Sequence, residues 1–272
     1  MAQILIVFIF GLLIGSFLNV CILRIPLKET IVSERSHCMT CGHTLAWYDL
    51  FPLFSWVFLG GKCRYCKAKI SKQYPIVEFI NGVMAVLCFA FSDFRISSMI
   101  NGSMGYKEIL YSLIVTILSA LLCSVLIVIS VIDWRSFEIP IGTNIFILGL
   151  GIVRLVLNLI MYGTDGNWLE YVIGFFMVSI PLAIIYYASK GRAIGGGDVK
   201  LMAVAGLFLG WKLALVALIT GCLYGSVIHI IRMKVSGEGK QLAMGPYLSA
   251  GIVTALWFGQ YIVEWYSGFF PA

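Results

Sequence analysis

The sequence predicts an all-α polytopic membrane protein: about eight transmembrane helices, with one small polar insert between the first two. Three observations carry this. Hydrophobic residues make up 60% of the 272-residue chain and charged residues only 12%, about half the share of a soluble domain. So little polar surface cannot coat a body in water, whereas in lipid the apolar side chains can face outward. The apolar residues fall in long runs, and a run inside lipid must be helical because an open strand leaves its backbone unpaired. The basic residues, finally, collect in alternate loops.

The first run, Ile4 to Leu23, holds twenty residues without a charge. That is enough to cross a hydrocarbon core of about 30 Å at 1.5 Å per residue. No Lys or Arg precedes it, so it lacks the basic start of a cleaved signal and reads as a retained span. Further runs follow at 75–92, 109–132, 139–161, 171–189, 199–211, 213–231 and 241–263. The 199–211 run is short, which leaves a re-entrant segment as its alternative. If all eight cross, the loops 24–74, 134–138, 190–200 and 232–240 share one side and hold fifteen of the nineteen Lys and Arg residues. The opposite loops hold Arg95, Lys107 and Lys212, and Arg154 lies within a span. By the positive-inside rule the crowded side is cytosolic and both termini lie outside. The net charge of +6 is read through this loop bias, not as a sign of nucleic-acid binding. The expected organisation is a first helix (1–23), a cytosolic insert (24–74) and a helical bundle (75–272).

The insert carries Cys38-Met-Thr-Cys41 and, after twenty-one intervening residues, Cys63-Arg-Tyr-Cys66. Two CxxC pairs with a spacer near twenty form a zinc-ribbon pattern. Each short turn brings two sulfurs to one ion, and two turns complete a tetrahedron. Four thiolates on Zn²⁺ leave an excess of negative charge, which Lys62, Arg64, Lys67 and Lys69 stand ready to offset. A cytosolic setting argues against the alternative of disulfides, and a site closed by four cysteines is structural, not catalytic. His37 and His43 flank the first pair as substitute ligands. Cys21, Cys88, Cys123 and Cys222 sit singly in apolar runs and read as packing residues.

Two of the five Asp residues mark the cytosolic ends of apolar runs. Asp133 closes one in Val131-Ile132-Asp133-Trp134-Arg135, and Asp198 opens another in Gly195-Gly196-Gly197-Asp198-Val199-Lys200. Two helices lie between them, so both return to the same face, as a carboxylate pair requires. A solvated acid at a helix end, or one resting on a positive helix N-terminus, is the plainer reading. Against it stands the glycine run, a poor helix former that lets a peptide or another helix approach the carboxylate closely. A phosphate loop fits less well, because the Lys-Ser/Thr of that motif is absent.

In order along nearly the whole chain come Gly15-Ser16-Phe17-Leu18-Asn19-Val20 with Arg24 and Pro26; the double CxxC; Ser71-Lys72-Gln73-Tyr74-Pro75-Ile76-Val77-Glu78; Asp133 through Ile139-Pro140; Gly195 through Lys200; and Gly245-Pro246-Tyr247-Leu248-Ser249-Ala250-Gly251. This ordered set resembles the bacterial type IV prepilin peptidase family. The resemblance implies a GxGD-type intramembrane aspartyl endopeptidase with Asp133 and Asp198 as its catalytic pair. It implies prepilin or pseudopilin substrates, and a multi-pass protein of the bacterial inner membrane whose active site lies at the cytosolic face. It also implies methylation of the new N-terminus with S-adenosylmethionine, for which Glu78, an acid entering the second helix, is the candidate residue; a plain interfacial carboxylate near Lys72 is its alternative. One departure is that Ile141-Gly142-Thr143-Asn144 follows the Ile-Pro pair, where the family often has Asn or Asp. Two rival functions remain at this level. One is a transporter with a zinc-bearing regulatory loop, suited by Arg154 and the interrupted helices; the other is a membrane scaffold whose metal domain binds a partner. Neither needs both aspartates, and Asn19, Arg154 and Asn158 also serve as polar contacts between helices.

Overall fold

A computed structural model describes residues 2–32, 35–92, 105–236 and 242–269; the loop-charge expectations for Arg95 and Lys240 lie outside them. Among the described residues there are nine α-helices: α1 (Ala2–Leu27), α2 (Phe54–Phe58), α3 (Gln73–Ala90), α4 (Tyr106–Ser136), α5 (Ile141–Tyr162), α6 (Trp168–Ala188), α7 (Gly196–Leu209), α8 (Trp211–Ser236) and α9 (Gly245–Ser267). The all-helical class holds, and the polar insert occupies the chain between α1 and α3. Six helices, α1, α3, α4, α5, α6 and α8, are long and apolar enough to cross a membrane by length and composition.

The two other predicted spans fall on α7 and α9. At 14 residues, α7 is about 21 Å long at 1.5 Å per residue, short of the hydrocarbon thickness. Every residue from Leu201 to Leu209 is buried. A helix apolar all round is one enclosed by other helices or by lipid, and here protein does the enclosing. Only Gly210, at φ +85°, separates α7 from α8, and that left-handed conformation is open to glycine at no steric cost.

The chain divides into two compact units, Met1–Ser92 with Cys123–Val128, and Asp93–Leu122 with Ile129–Ala272. In the first, α1 packs on α3 through glycines. A Cβ on Gly11 would come within 2.8 Å of the Gly82 Cα, and one on Gly15 within 2.7 Å of the Glu78 Cα. With no hydrophobic drive between helices in lipid, such close approach supplies the dispersion contacts, and polar side chains add to them. Asn81 Nδ2 donates to the Gly11 carbonyl at 2.7 Å and its Oδ1 accepts from Ser124 Oγ at 2.8 Å. Asn19 Nδ2 donates to the Tyr74 carbonyl at 3.1 Å, which makes Asn19 a contact between helices, as one of its two readings held. The Cys88 and Cys123 sulfurs lie 3.6 Å apart in the buried interior, whereas Ile6, Phe10 and Phe17 of α1 are exposed.

In the second unit α7 lies among α5, α6 and α8. Its Gly206 faces Gly174 of α6 so closely that a Cβ on either would collide with the other's backbone. Arg154 of α5 lies over the rings of Phe208 on α7, 4.6 Å away, and Tyr171 on α6, 5.6 Å away. The guanidinium therefore joins three helices by cation–π attraction, which strengthens as water is withdrawn.

Candidate active site and metal centre

The two cysteine pairs form matching knuckles. In the first, the Cys38 N–H donates to the His43 carbonyl and the Gly42 N–H to the Cys38 carbonyl, at 2.9 and 2.8 Å; in the second, Cys63 N–H donates to Ala68 and Lys67 N–H to Cys63, at 2.8 and 3.0 Å. The equivalent positions 42 and 67 are both left-handed, at φ +69° and +60°. Glycine fills the first without strain, and lysine holds the second at a cost of about 1–3 kcal/mol. The four sulfurs lie within 4.8 Å of one another. Zn–S bonds of 2.3 Å set tetrahedral sulfurs about 3.8 Å apart, and Cys38 and Cys66 stand at 3.8 Å. The donor set fits a tetrahedral ion. The Cys41 and Thr40 N–H groups pull the Cys38 thiol down to about 6, so one thiolate forms near neutral pH. Cys66 is pushed up to about 11: the Ala68 N–H lowers it, but desolvation and the sulfurs of Cys41, Cys63 and Cys38 outweigh that donor. A bound cation removes this mutual opposition of the sulfurs.

The histidines stand apart from the sulfur cluster. The His43 ring packs on Tyr65 with centroids 3.7 Å apart, and His37 Nδ1 lies 3.3 Å from the Arg35 carbonyl. Arg64 is used differently from the sequence expectation of offsetting thiolate charge. Its Nε donates to Asp49 Oδ1 at 2.6 Å, and Asp49 Oδ2 accepts from Tyr65 and from the Ala46 N–H, both at 3.2 Å. Asp49 thus ties the second knuckle to the 3₁₀ turn Trp47–Asp49. Burial works against its charge, yet the Arg64 contact, the Ala46 N–H and Tyr65 hold its carboxyl below the usual range. A charge-assisted hydrogen bond to a carboxylate is stronger than a neutral one, which accounts for Arg64 lying on Asp49.

Glu78 sits in the second turn of α3 and is only 7% exposed. Its Oε2 accepts the Leu53 N–H at 2.8 Å. Leu53 precedes α2 with φ +59°, unusual for a branched side chain. The buried carboxylate therefore holds a strained corner of the insert, and neither the Lys72 pairing nor an open interfacial setting describes it.

Asp133 and Asp198 line one cavity of about 270 Å³. Helix α4 runs past the predicted end at Ile132, so Asp133 lies in its last turn, 5% exposed. The helix stops at Phe137, left-handed at φ +55°, whose N–H returns to the Asp133 carbonyl at 2.9 Å. The Ile139-Pro140 step then redirects the chain, since a residue before proline is pushed out of the helical region, and α5 begins at Ile141. Asp198 is the third residue of α7 and half-buried.

The glycines before Asp198 serve by lacking a Cβ, not by adopting left-handed conformations; Gly195 has φ −72°. A Cβ on Gly195 would stand 2.9 Å from Asp198 Oδ2, and one on Gly197 3.0 Å from the Ile139 Cβ. They bring the Ile139 segment and the Asp198 helix together. A third element enters from far along the chain: the Gly245 N–H at the start of α9 donates to Asp133 Oδ2 at 2.8 Å. A Cβ there would press to 2.7 Å on that oxygen. Sequence reading noted the Gly245–Gly251 segment but not this contact. Asn144, which the sequence offers only as part of the segment after Ile139-Pro140, lines the same cavity.

The arrangement can be set beside known proteins. Residues 9–92 match the family model described as the bacterial peptidase A24 N-terminal domain, and residues 120–230 match that of the type IV leader peptidase family. The first interval contains the four cysteines and Glu78, and the second contains both cavity aspartates. Among similar curated proteins, one from Bacillus subtilis (strain 168) is 32% identical over 266 residues, 96% of each chain. One from Aeromonas salmonicida (strain A449) is 29% identical over 96% of this chain and 92% of its own. One from Myxococcus xanthus (strain DK1622) is 32% identical over 85% of this chain, which spans only 63% of that protein's length. All three are named prepilin leader peptidase/N-methyltransferase. No solved structure matches.

Proposed function

The chain belongs to the type IV leader peptidase family, and from that premise we propose that it is a membrane-embedded aspartyl endopeptidase that removes the leader of prepilins and pseudopilins and methylates the new N-terminus. The observation that carries the chemistry is the single cavity shared by Asp133 and Asp198. Two carboxyl groups in one site do not both ionise easily, so the pair holds one proton. The ionised member takes a proton from the attacking water; the protonated member polarises the scissile carbonyl and then protonates the leaving amine. The Gly245 N–H fixes the orientation of Asp133. A transporter reading is not favoured, and Arg154, its main support, has a packing role between helices. The test is incubation of the purified chain with a prepilin bearing its leader: the expected result is one cleavage at the leader boundary, and intact substrate would overturn the reading.

In this reading Cys38, Cys41, Cys63 and Cys66 hold a structural Zn²⁺ that organises the insert 24–74, while residues 75–272 form the peptidase bundle. S-adenosylmethionine supplies the methyl group. Glu78 serves methyl transfer as well as holding Leu53. Glu78→Gln keeps an acceptor for the Leu53 N–H, so it is expected to leave cleavage and metal content unchanged. Loss of the acid is expected to lower methylation of pre-cleaved pilin by on the order of a hundredfold. Equal methylation by both proteins would remove Glu78 from that role.

The reading also places the site at the cytosolic face of the bacterial inner membrane, supported by the basic residues gathered in alternate loops. Cysteine reporters at Ser136, Ala193 and Ser236 are expected to resist an impermeant thiol reagent in intact cells. Labelling at Ser236 alone would mean that α7 does not cross. Labelling at Ser136 but not Ala193 would put the aspartates on opposite faces, about 30 Å apart, and end the shared-proton mechanism.

A further inference from the structure

Asn144 is the fourth residue of α5 and 5% exposed. Both ends of its side-chain amide, Nδ2 and Oδ1, are buried and have no hydrogen-bond partner among the described residues. Such a pair is costly. A buried amide without partners loses about 1–3 kcal/mol on protein scales, and the setting at a membrane edge offers little to offset it. The neighbouring Thr143 shows the contrast: its Oγ1 donates to the Pro140 carbonyl at 2.6 Å. Asn144 is among the residues that line the cavity of Asp133 and Asp198.

The chemistry of the orphan pair narrows its ligand. One donor and one acceptor on a planar carboxamide match the N–H and C=O of a peptide main chain. An anion would satisfy only Nδ2, and a cation only Oδ1. The same cavity is lined by Gly195, Gly196 and Gly197, which present backbone without side chains, so an extended chain can lie close to them. At about 270 Å³ the cavity is at or below the small end of ligand pockets, a size suited to a short stretch of chain.

We infer that Asn144 is a substrate-binding residue, which hydrogen-bonds the main chain of the bound peptide next to the scissile bond. This rests on the aspartyl endopeptidase reading and deepens it. Because the contact is to the peptide backbone, it holds substrates of different side-chain sequence in the same register against the two carboxyl groups. It forms in the bound ground state, so its loss falls on KM more than on kcat.

The experiment uses the full-length protein in lipid and prepilin substrates in which single backbone amides flanking the scissile bond are replaced by esters. An ester lacks the N–H and has a weaker carbonyl acceptor. In the wild type, one ester position is expected to raise KM roughly tenfold, the size of a lost buried hydrogen bond. Asn144→Leu and Asn144→Ala are each expected to raise KM by a similar factor with kcat within about threefold, and to be insensitive to the ester at that position. Asn144→Ala guards against misfolding of the bulkier variant, and the wild-type ester series needs no variant at all. An unchanged KM in both variants, or an ester penalty that persists in them, overturns the inference. Cleavage by Asp133→Asn in parallel would instead bring down the aspartyl reading itself.

Discussion

Asp133→Asn and Asp198→Asn are each expected to lower leader cleavage by about 10²–10⁴-fold or more, the range a positioned acid or base contributes, with insertion and folding retained. Asparagine has the shape of aspartate and still offers an oxygen to the Gly245 N–H, which now reaches Asp133 Oδ2 at 2.8 Å. What it cannot do is exchange a proton with its partner. Insertion rests on the apolar helices, six of which have the length and composition to cross, and removing one carboxylate at a membrane edge leaves that driving force in place. Membrane-fraction yield and thermal stability check the fold, and cleavage of a purified prepilin checks the chemistry. Near wild-type cleavage by either variant would dismiss the carboxylate pair.

Loss of the metal is expected to unfold the insert while sparing part of the cleavage. Reduced, chelator-free protein is expected to contain about one zinc per chain by elemental analysis. Cys63→Ser removes the one buried ligand of the four, and its insert is expected to become protease-sensitive. Structural zinc sites contribute about 10–16 kcal/mol in apparent binding free energy, which is folding free energy when no site exists beforehand. Besides its local turns, the described insert is held by two isolated bridges, His37 with Thr44 and Lys62 with Lys69, the Asp49 contacts with Arg64, Tyr65 and Ala46, the His43–Tyr65 ring contact and the Leu53 bond to Glu78. Cleavage persists in part because both aspartates belong to α4 and α7, outside the insert. Metal-free protein with a protease-resistant insert would overturn the assignment.

The success and failure of sequence reading divide along the range of the interactions involved. Knuckle geometry was legible because each CxxC closes its own turn within six residues, as the paired Cys38–His43 and Cys63–Ala68 hydrogen bonds show. The apolar runs were legible because lipid obliges each backbone segment to satisfy itself. Composition alone does not separate enclosure by protein from enclosure by lipid, and α7, buried from Leu201 to Leu209, is the case in point. Arg64 was assigned to the thiolates by proximity in sequence, but Asp49, fifteen residues earlier, offers a carboxylate at 2.6 Å.

By itself the sequence determined that the chain is helical and membrane-embedded, that it has a four-cysteine insert, and that Asp133 and Asp198 mark the ends of apolar runs. Each of these follows from local spacing, backbone self-satisfaction in lipid or the count of charges. Only the tertiary structure decided that the two aspartates share a cavity, that the Gly245 N–H holds one of them across 112 residues, and that the Asn144 amide is left without a partner among the described residues. The physical reason is that these facts depend on which helix ends meet. Helix meeting is set by close glycine contacts between helices, such as Gly174 with Gly206; small residues in a sequence offer such a contact but do not name the helix that fills it.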